Sequence, residues 1–287
     1  MVSLEVARLI VLTLFAFLVG VIWYFSVTPV GQHCDCLQVS FFDVGQGDAI
    51  YIRTPDNFEL LVDGGRDRTV LQQLSKQQTF FDRHIDMVVS THPDSDHIGG
   101  LIEVLQRYQV GSILLTENIN DTPTAAMFSE LVAAENAALI FAEAGQRFQL
   151  GASTTLTIFS PVGDETNWES NNSSIVMKIS YGETDILLTG DASTGIEEYL
   201  VKNYGELLES EVLKLGHHGS KTSTSELFLD TVSPEYAIVS AAVDSPYGHP
   251  HQEVMQRVFA RDIHTFHTGV DGTVMFISDG QTFTKKE

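Results

Sequence analysis

The stretch Thr91-His92-Pro93-Asp94-Ser95-Asp96-His97-Ile98-Gly99-Gly100 decides how the chain is read. Ahead of it runs Ile85–Ser90, mostly apolar and of strand length. Behind it Ile98, Leu101, Ile102 and Leu105 recur at helical spacing, which predicts a helix. His92, Asp94, Asp96 and His97 therefore crowd into one loop at a strand end, a place well suited to a site. His92 and Asp94, two apart, can point the same way, while Asp96 and His97 turn toward a second point. Two neighbouring divalent cations would engage all four, given ligands from elsewhere. Gly99 and Gly100 let the backbone pass close behind.

Further along, three segments supply candidates for those ligands. Ile186-Leu187-Leu188-Thr189-Gly190-Asp191 is an apolar strand that delivers one carboxylate, and a carboxylate can bridge two metals. Leu213-Lys214-Leu215-Gly216-His217-His218-Gly219-Ser220-Lys221 ends another strand in two imidazoles. One could complete a metal site and its neighbour could orient a ligand or substrate. Tyr247-Gly248-His249-Pro250-His251 lies ahead of a helix, where histidines could hold an anion or donate a proton. His92, His97, His217, His218, His249 and His251 are six of the chain's ten histidines, and that clustering lifts the reading above its parts. Upstream, Phe41-Phe42-Asp43-Val44-Gly45-Gln46-Gly47-Asp48-Ala49 and Leu60-Leu61-Val62-Asp63-Gly64-Gly65 read as strand-and-turn units whose glycines serve tight turns. Asp63 is placed to fix the metal loop by hydrogen bonding.

The rest of the chain frames these segments. Strands are predicted at Leu37–Phe42, Ala49–Arg53 and Glu59–Val62, close enough for an antiparallel meander. A helix near Thr69–Gln77, the strand Ile85–Ser90 and a helix over Ala125–Asn136 follow. The second half offers a hairpin, Ile175–Ser180 with Asp185–Leu188, and strands at Glu211–Leu215, Tyr236–Ser240 and Val274–Ile277. Helices near Thr194–Val201, Ser225–Leu229 and Gln252–Phe259 separate them. Two half-domains of strands with outer helices predict a four-layer αββα sandwich of α/β class over residues 37–287.

From Leu9 to Val27 no residue is charged. As a helix this run rises about 28 Å, close to one bilayer core. Trp23 and Tyr24 sit at its outer end like an aromatic belt, and Arg8 favours a cytoplasmic N-terminus. Residues 1–28 are thus a single-pass anchor or a signal segment. With no small-x-small cleavage site after the run, the anchor is the reading adopted. Residues 29–36 read as a linker. A bond between Cys34 and Cys36 would close a very tight, strained ring, so the pair reads as two free or partner-linked thiols. The net charge of −22, from 38 acidic and 16 basic residues, repels phosphate backbones and argues against a non-specific nucleic-acid binder. It does not exclude an enzyme acting on phosphodiesters, because a bound cation reverses the local field.

Taken in order, FFDVGQGDA, LLVDGG, THPDSDHIGG, LLTGD, LKLGHHGS and YGHPH resemble the metallo-β-lactamase fold superfamily, and most closely the hydrolase-like domain of ComEC-type competence proteins, which take DNA into bacteria. The resemblance implies a binuclear site between two central sheets. His92 and Asp94 would serve one metal; Asp96, His97 and His218 the other; Asp191 would bridge. His217 is the alternative to His218. Two departures from the general pattern stand out. Asp94 replaces a histidine, and no histidine lies between Ile98 and Gly190, where Asn171 and Asn172 come nearest the expected place. The first position is therefore harder and poorer in ligands, suited to manganese or magnesium over zinc, or to staying empty.

Three functions follow from these expectations. The first is an extracytoplasmic, membrane-anchored phosphodiesterase or nuclease using one or two divalent ions, zinc or manganese, with Asp96, His249, His251 and Lys221 as catalytic residues and DNA as one substrate. The second is a hydrolase of a small ester, lactone or phosphocholine substrate. The third is a non-catalytic, metal-dependent module that partners a DNA-uptake channel protein, since a single anchor forms no channel.

Overall fold

The computed structural model of the chain describes residues 3–27, 35–79, 81–118 and 120–286. Helix α1 (Leu4–Val27) starts earlier than its uncharged run and takes in Glu5 and Arg8. Its segment Leu4–Trp23 has mean hydropathy 2.4, is not buried by the other described residues, and is long and apolar enough to cross a membrane. Most of the predicted linker, Cys34 included, lies outside the described residues. Cys36 is buried and disulfide-bonded, which corrects the reading of free thiols at that position.

Two sheets follow. The first comprises β1 (Leu37–Phe41), β2 (Ile50–Arg53), β3 (Glu59–Val62), β4 (His84–Ser90), β5 (Gln109–Leu115) and β6 (Ala138–Phe141), and is completed by two C-terminal strands. The second comprises β7 (Arg147–Leu150), β8 (Thr154–Ser160), β9 (Val176–Tyr181), β10 (Thr184–Leu188), β11 (Val212–Lys214), β12 (Tyr236–Val239) and β13 (His264–His267). With β14 (Val274–Ser278) and β15 (Phe283–Lys286) joining the first sheet, the strand orders are β15-β14-β1-β2-β3-β4-β5-β6 and β13-β12-β11-β10-β9-β8-β7.

Three cores define the layers. One, built from Val39, Ile52, Leu60, Val89, Ile158, Ile179, Ile186 and Phe276 among others, fills the space between the sheets. A second lies between the first sheet and helices α2 (Thr69–Gln77), α3 (Ser95–Leu105) and α4 (Pro123–Ala134). The third joins the second sheet to α5 (Thr194–Tyr204), α6 (Glu226–Val232) and α7 (Gln252–Phe259). Three apolar interfaces separate four layers, so the αββα sandwich holds. The strands that carry it are buried on both faces, which is why β3, β4 and β10 read as continuous apolar runs rather than alternating ones.

The meander β1-β2-β3 is antiparallel as expected. Beyond it the chain turns parallel: β3 with β4, β4 with β5 and β5 with β6, and in the other sheet β10 with β11, β11 with β12 and β12 with β13. Parallel neighbours end on the same side, and ligand sites of open α/β sheets gather outside those carboxyl ends. The motif loops all leave such ends: Asp63 after β3, Thr91–His97 after β4, Asp191 after β10, His217–His218 after β11, and His249 after β12.

Candidate metal centre

Asp63 braces the histidine loop. Register pairs Val62 with Val89, so Asp63 emerges beside Thr91. Its backbone is left-handed (φ 57°) and its N–H donates to the Val89 carbonyl at 2.8 Å. One carboxylate oxygen accepts the Thr91 N–H (2.8 Å); the other accepts the Thr91 hydroxyl (2.7 Å) and lies 2.7 Å from His97 Nδ1. The sequence-level role for Asp63, fixing the loop by hydrogen bonding, is thus the one it fills. His97, in the first turn of α3, is oriented through Nδ1, which leaves Nε2 free to ligate.

Asp191 is the hub. It is 3 % exposed, and its N–H donates to Ser174 Oγ at 3.1 Å. His97 Nε2 lies 3.4 Å from one carboxylate oxygen. The other oxygen faces His218 Nε2 at 3.4 Å, His217 Nε2 at 3.8 Å and His92 Nε2 at 3.9 Å. Burial opposes its charge, but the surrounding His218, His97 and Lys214 outweigh that and hold Asp191 well below the usual carboxylate range.

The two histidines after β11 both reach this hub, because both adopt left-handed backbone (φ 48° and 56°). Consecutive non-glycine residues in that region are strained, and strain of this kind gathers at functional sites. His218 Nε2 also lies 3.5 Å from Asp96, and its Nδ1 lies 3.4 Å from Asp48. Burial would lower its pKa; Asp191, Asp48 and Asp96 raise it to about 9 instead. His217 is less buried. Its Nδ1 meets Thr222 Oγ1 at 3.0 Å and Asn171 Nδ2 at 3.5 Å, so Asn171, near the place of the absent histidine, touches this ring.

Two participants went unrecognised in the sequence. Asp48, read only as a turn residue, sits in the centre, and Lys214, read only as part of a strand, lies beneath it. The Lys214 ammonium is fully buried, 2.5 Å from Asp48 and 3.8 Å from Asp191. Burial pushes Asp48 upward, but Lys214 and His218 prevail and hold it at about 2. The turn that delivers Asp48 needs Gly47 (φ 116°): a Cβ there would overlap the Asp96 carbonyl oxygen. Because an internal cation is already in place, part of the site's negative charge is balanced before any metal binds.

The donor set fits a divalent cation. One ligand atom each from Asp48, His97, Asp191 and His218 lies within 4.8 Å of the other three. His92 Nε2, His97 Nε2, Asp191 Oδ1, Asp48 Oδ1 and both His218 nitrogens are buried without a hydrogen-bond partner. Buried polar atoms are rarely left orphaned, and divalent ions shared among them would satisfy the Nε2 atoms of His92, His97 and His218 and the Asp191 oxygen, while His218 Nδ1 faces Asp48 Oδ1 at 3.4 Å on the other side of its ring.

The remaining predicted residues lie around this group. His92 Nε2 is 3.7 Å from Asp94, and burial with the neighbouring His97 lowers its pKa to about 4. Asp94 caps α3 by position only. Its other oxygen accepts Asn120 Nδ2 (2.9 Å) and Ser170 Oγ (2.7 Å). Asp96 is 22 % exposed and faces His218. The His249 ring lies edge-on to His217 and tilted against His218, with centroids 5.3 and 6.1 Å away, and burial followed by those histidines lowers it to about 4. His251, 5.0 Å from the His249 ring, accepts the Lys221 N–H at 3.2 Å. The Lys221 side chain is exposed at the rim, outside the buried cluster.

Comparison with known proteins adds a family and a fold. The profile of the metallo-beta-lactamase superfamily matches residues 42–243. Competence protein ComA of Neisseria gonorrhoeae is 34 % identical over 242 residues, covering 83 % of this chain and 32 % of that protein. ComE operon protein 3 of Bacillus subtilis is 28 % identical over 256 residues, covering 83 % and 33 %. The chain thus spans about a third of the length of these relatives. Among solved structures, Igni18, a metallo hydrolase from Ignicoccus hospitalis, shares the fold with a TM-score of 0.57 at 16 % identity, covering 83 % of this chain and 98 % of its own. Zn(2+)-bound PqqB from Methylobacterium extorquens has a TM-score of 0.50 at 14 % identity, covering 79 % and 86 %.

Proposed function

The chain belongs to the metallo-beta-lactamase superfamily, and we propose that it is a membrane-anchored, extracytoplasmic phosphodiesterase or nuclease dependent on divalent metal. The observation that carries this reading is the convergence on Asp191 of buried donors that have no hydrogen-bond partner among the described residues. In this proposal His92 and Asp94 serve a first position, and Asp96, His97 and His218 serve a second. Asp191 would serve both, and Asp48 would orient His218 through Nδ1. An ion bound there supplies Lewis acidity and makes water a usable nucleophile near neutral pH. Zinc and manganese both suit the mixture of imidazole and carboxylate.

The chain's own residues do the rest. His249, held neutral at pH 7 by its low pKa, presents a hydrogen bond to a phosphate oxygen rather than a charge. His251 and Lys221 steady the ester from the rim, where the exposed ammonium offers attraction without burial. Residues 1–28 hold the protein in the membrane, 29–36 link, and 37–287 form the hydrolase domain. The competence relatives favour DNA as a substrate and a separate channel protein as partner.

The purified chain with manganese or zinc should hydrolyse bis(p-nitrophenyl) phosphate and DNA. Asp191→Ala should lower turnover by about a thousandfold or more, the scale at which a central electrostatic group acts. Undiminished turnover in that variant would end the proposal. The net charge of −22 favours a second reading, a small ester, lactone or phosphocholine substrate, because such molecules escape long-range repulsion. Turnover of those compounds with none of phosphodiesters selects it.

A further inference from the structure

Two aromatic rings on the rim of the metal centre are presented to solvent by backbone that is itself tied down. Trp168 belongs to the loop between β8 and β9. Its N–H donates to the Glu165 carbonyl at 2.9 Å and its own carbonyl accepts Asn118 Nδ2 at 3.0 Å. Glu165 is buried and accepts the Glu117 N–H at 2.9 Å. The same loop then reaches the centre twice, through Ser170 to Asp94 and through Asn171 to the His217 ring. The Trp168 side chain is nevertheless 37 % exposed, and lines an open cavity of about 400 Å³ with Asn172, Ser193 and Ile196.

Tyr247 lies on the other arm. It is 57 % exposed, and its ring is 5.8 Å from His249 and tilted by 32°. His249 in turn sits 5.3 Å from His217. His217 thus joins both arms, with Asn171 on one side and His249 on the other. Among the described residues no lysine or arginine lines the Trp168 cavity, and Glu169 does. A phosphate backbone finds no cation in that cavity, whereas the exposed indole offers flat apolar surface. Every nucleobase has a π-face for an aromatic ring, but a base inside a duplex is already stacked on its neighbours.

Building on the phosphodiesterase reading, we propose that Trp168 and Tyr247 are stacking platforms for unpaired bases beside the scissile phosphate, so that the substrate is single-stranded nucleic acid. Because no cation lines the Trp168 cavity and stacking adds to what Lys221 supplies at the rim, binding should weaken far less with salt than the roughly 10³- to 10⁵-fold loss between 50 and 200 mM expected of six to ten phosphate contacts.

The test measures fluorescence anisotropy of labelled twelve-residue strands on the full chain with manganese. The strands carry phosphorothioate linkages that resist cleavage. One bears thymines, one is abasic, and one is paired in a duplex. Wild type should bind the thymine strand at least about fivefold more tightly than the other two, and Trp168→Ala and Tyr247→Ala should each remove about fivefold or more of that preference. Trp168→Phe should keep most of it, which separates stacking from a folding defect. Equal affinity for base-bearing and abasic strands, or an undiminished preference in the double alanine variant, overturns the inference. Hydrolysis is followed in parallel on ordinary strands. A protein that prefers bases but cleaves nothing refutes the phosphodiesterase reading and leaves the platforms standing. One that cleaves without base preference does the reverse.

Discussion

The loop Thr91–His97 has two ends, and they are furnished differently. At the His97 end, the imidazole is locked by Asp63 and meets Asp191 at 3.4 Å, with His218 and Asp48 close by. At the His92 end the distances lengthen to 3.7 and 3.9 Å, and Asp94 spends one oxygen on Asn120 and Ser170. One segment of sequence thus builds a dense cluster and a sparse one. The difference lies in partners from distant strands: β11 brings Lys214, His217 and His218 to the dense end, while nothing between Ile98 and Gly190 brings a histidine to the sparse one. Occupancy should follow donor density, so the dense end should hold its ion first and release it last.

Removing one ligand from each end gives the largest contrast. His218→Ala should weaken metal retention by about a hundredfold or more, a loss at least as large as removing a residue that only orients a ligand produces. His92→Ala should leave one tightly held ion per chain. Elemental analysis after extended dialysis against metal-free buffer reads both. Equal losses in the two variants would mean that the ends do not differ and that Asp191 alone governs binding.

Proton release separates the ends at intermediate scale. A histidine must be neutral to ligate. His218 keeps its proton up to about pH 9, held by Asp191, Asp48 and Asp96, so binding at the dense end must expel it. Affinity there should rise by about tenfold per pH unit for each proton displaced, and keep rising to at least about pH 9, because Asp191 and Asp63 hold His97 protonated as well. His92, lowered to about 4, has already lost its proton at pH 5, so the sparse end should be nearly indifferent between pH 5 and 8. Calorimetry in buffers of different ionisation enthalpy counts the protons. A tight site that releases none at pH 7 contradicts the assignment of His97 and His218 to it.

Much of this asymmetry was written in local sequence, and some was not. The sandwich and the motif ends of β3, β4, β10 and β11 were legible because those strands are continuous apolar runs that stop at a polar residue. Asp191 stood out for the same reason. Strands β5 to β8 were not, because β6 is an exposed edge and β5 opens with Gln, Gly and Ser within its first four residues. Asp48 was hidden by its turn: two glycines explain themselves locally, and nothing nearby announces that its carboxylate will meet a buried lysine from another sheet. Lys214 sat in an apolar strand, where one charged residue could signal burial with a partner but names no partner. The choice between His217 and His218 stayed open in sequence, and the left-handed backbone at both shows why, since it turns both rings toward Asp191.

The smallest expected effect tests whether the sparse end is sparse because Asp94 is restrained. Ser170 Oγ donates to the Asp94 oxygen turned away from His92, and Asn120 donates to the same atom. Ser170→Ala removes one of two clamps, so Asp94 stays oriented but gains rotational freedom. Removing a residue that orients a metal ligand typically costs about 10- to 100-fold in affinity. With Asn120 still in place the drop at the sparse end should be only about two- to fivefold, less than that range. The dense end, which shares no hydrogen bond with Ser170, should be unchanged. Competition with a chelating dye, titrated past one ion per chain, resolves the two. A matching fall in the first, tighter step would show that the loop responds as a single unit, and the contrast between its ends would then have no energetic meaning.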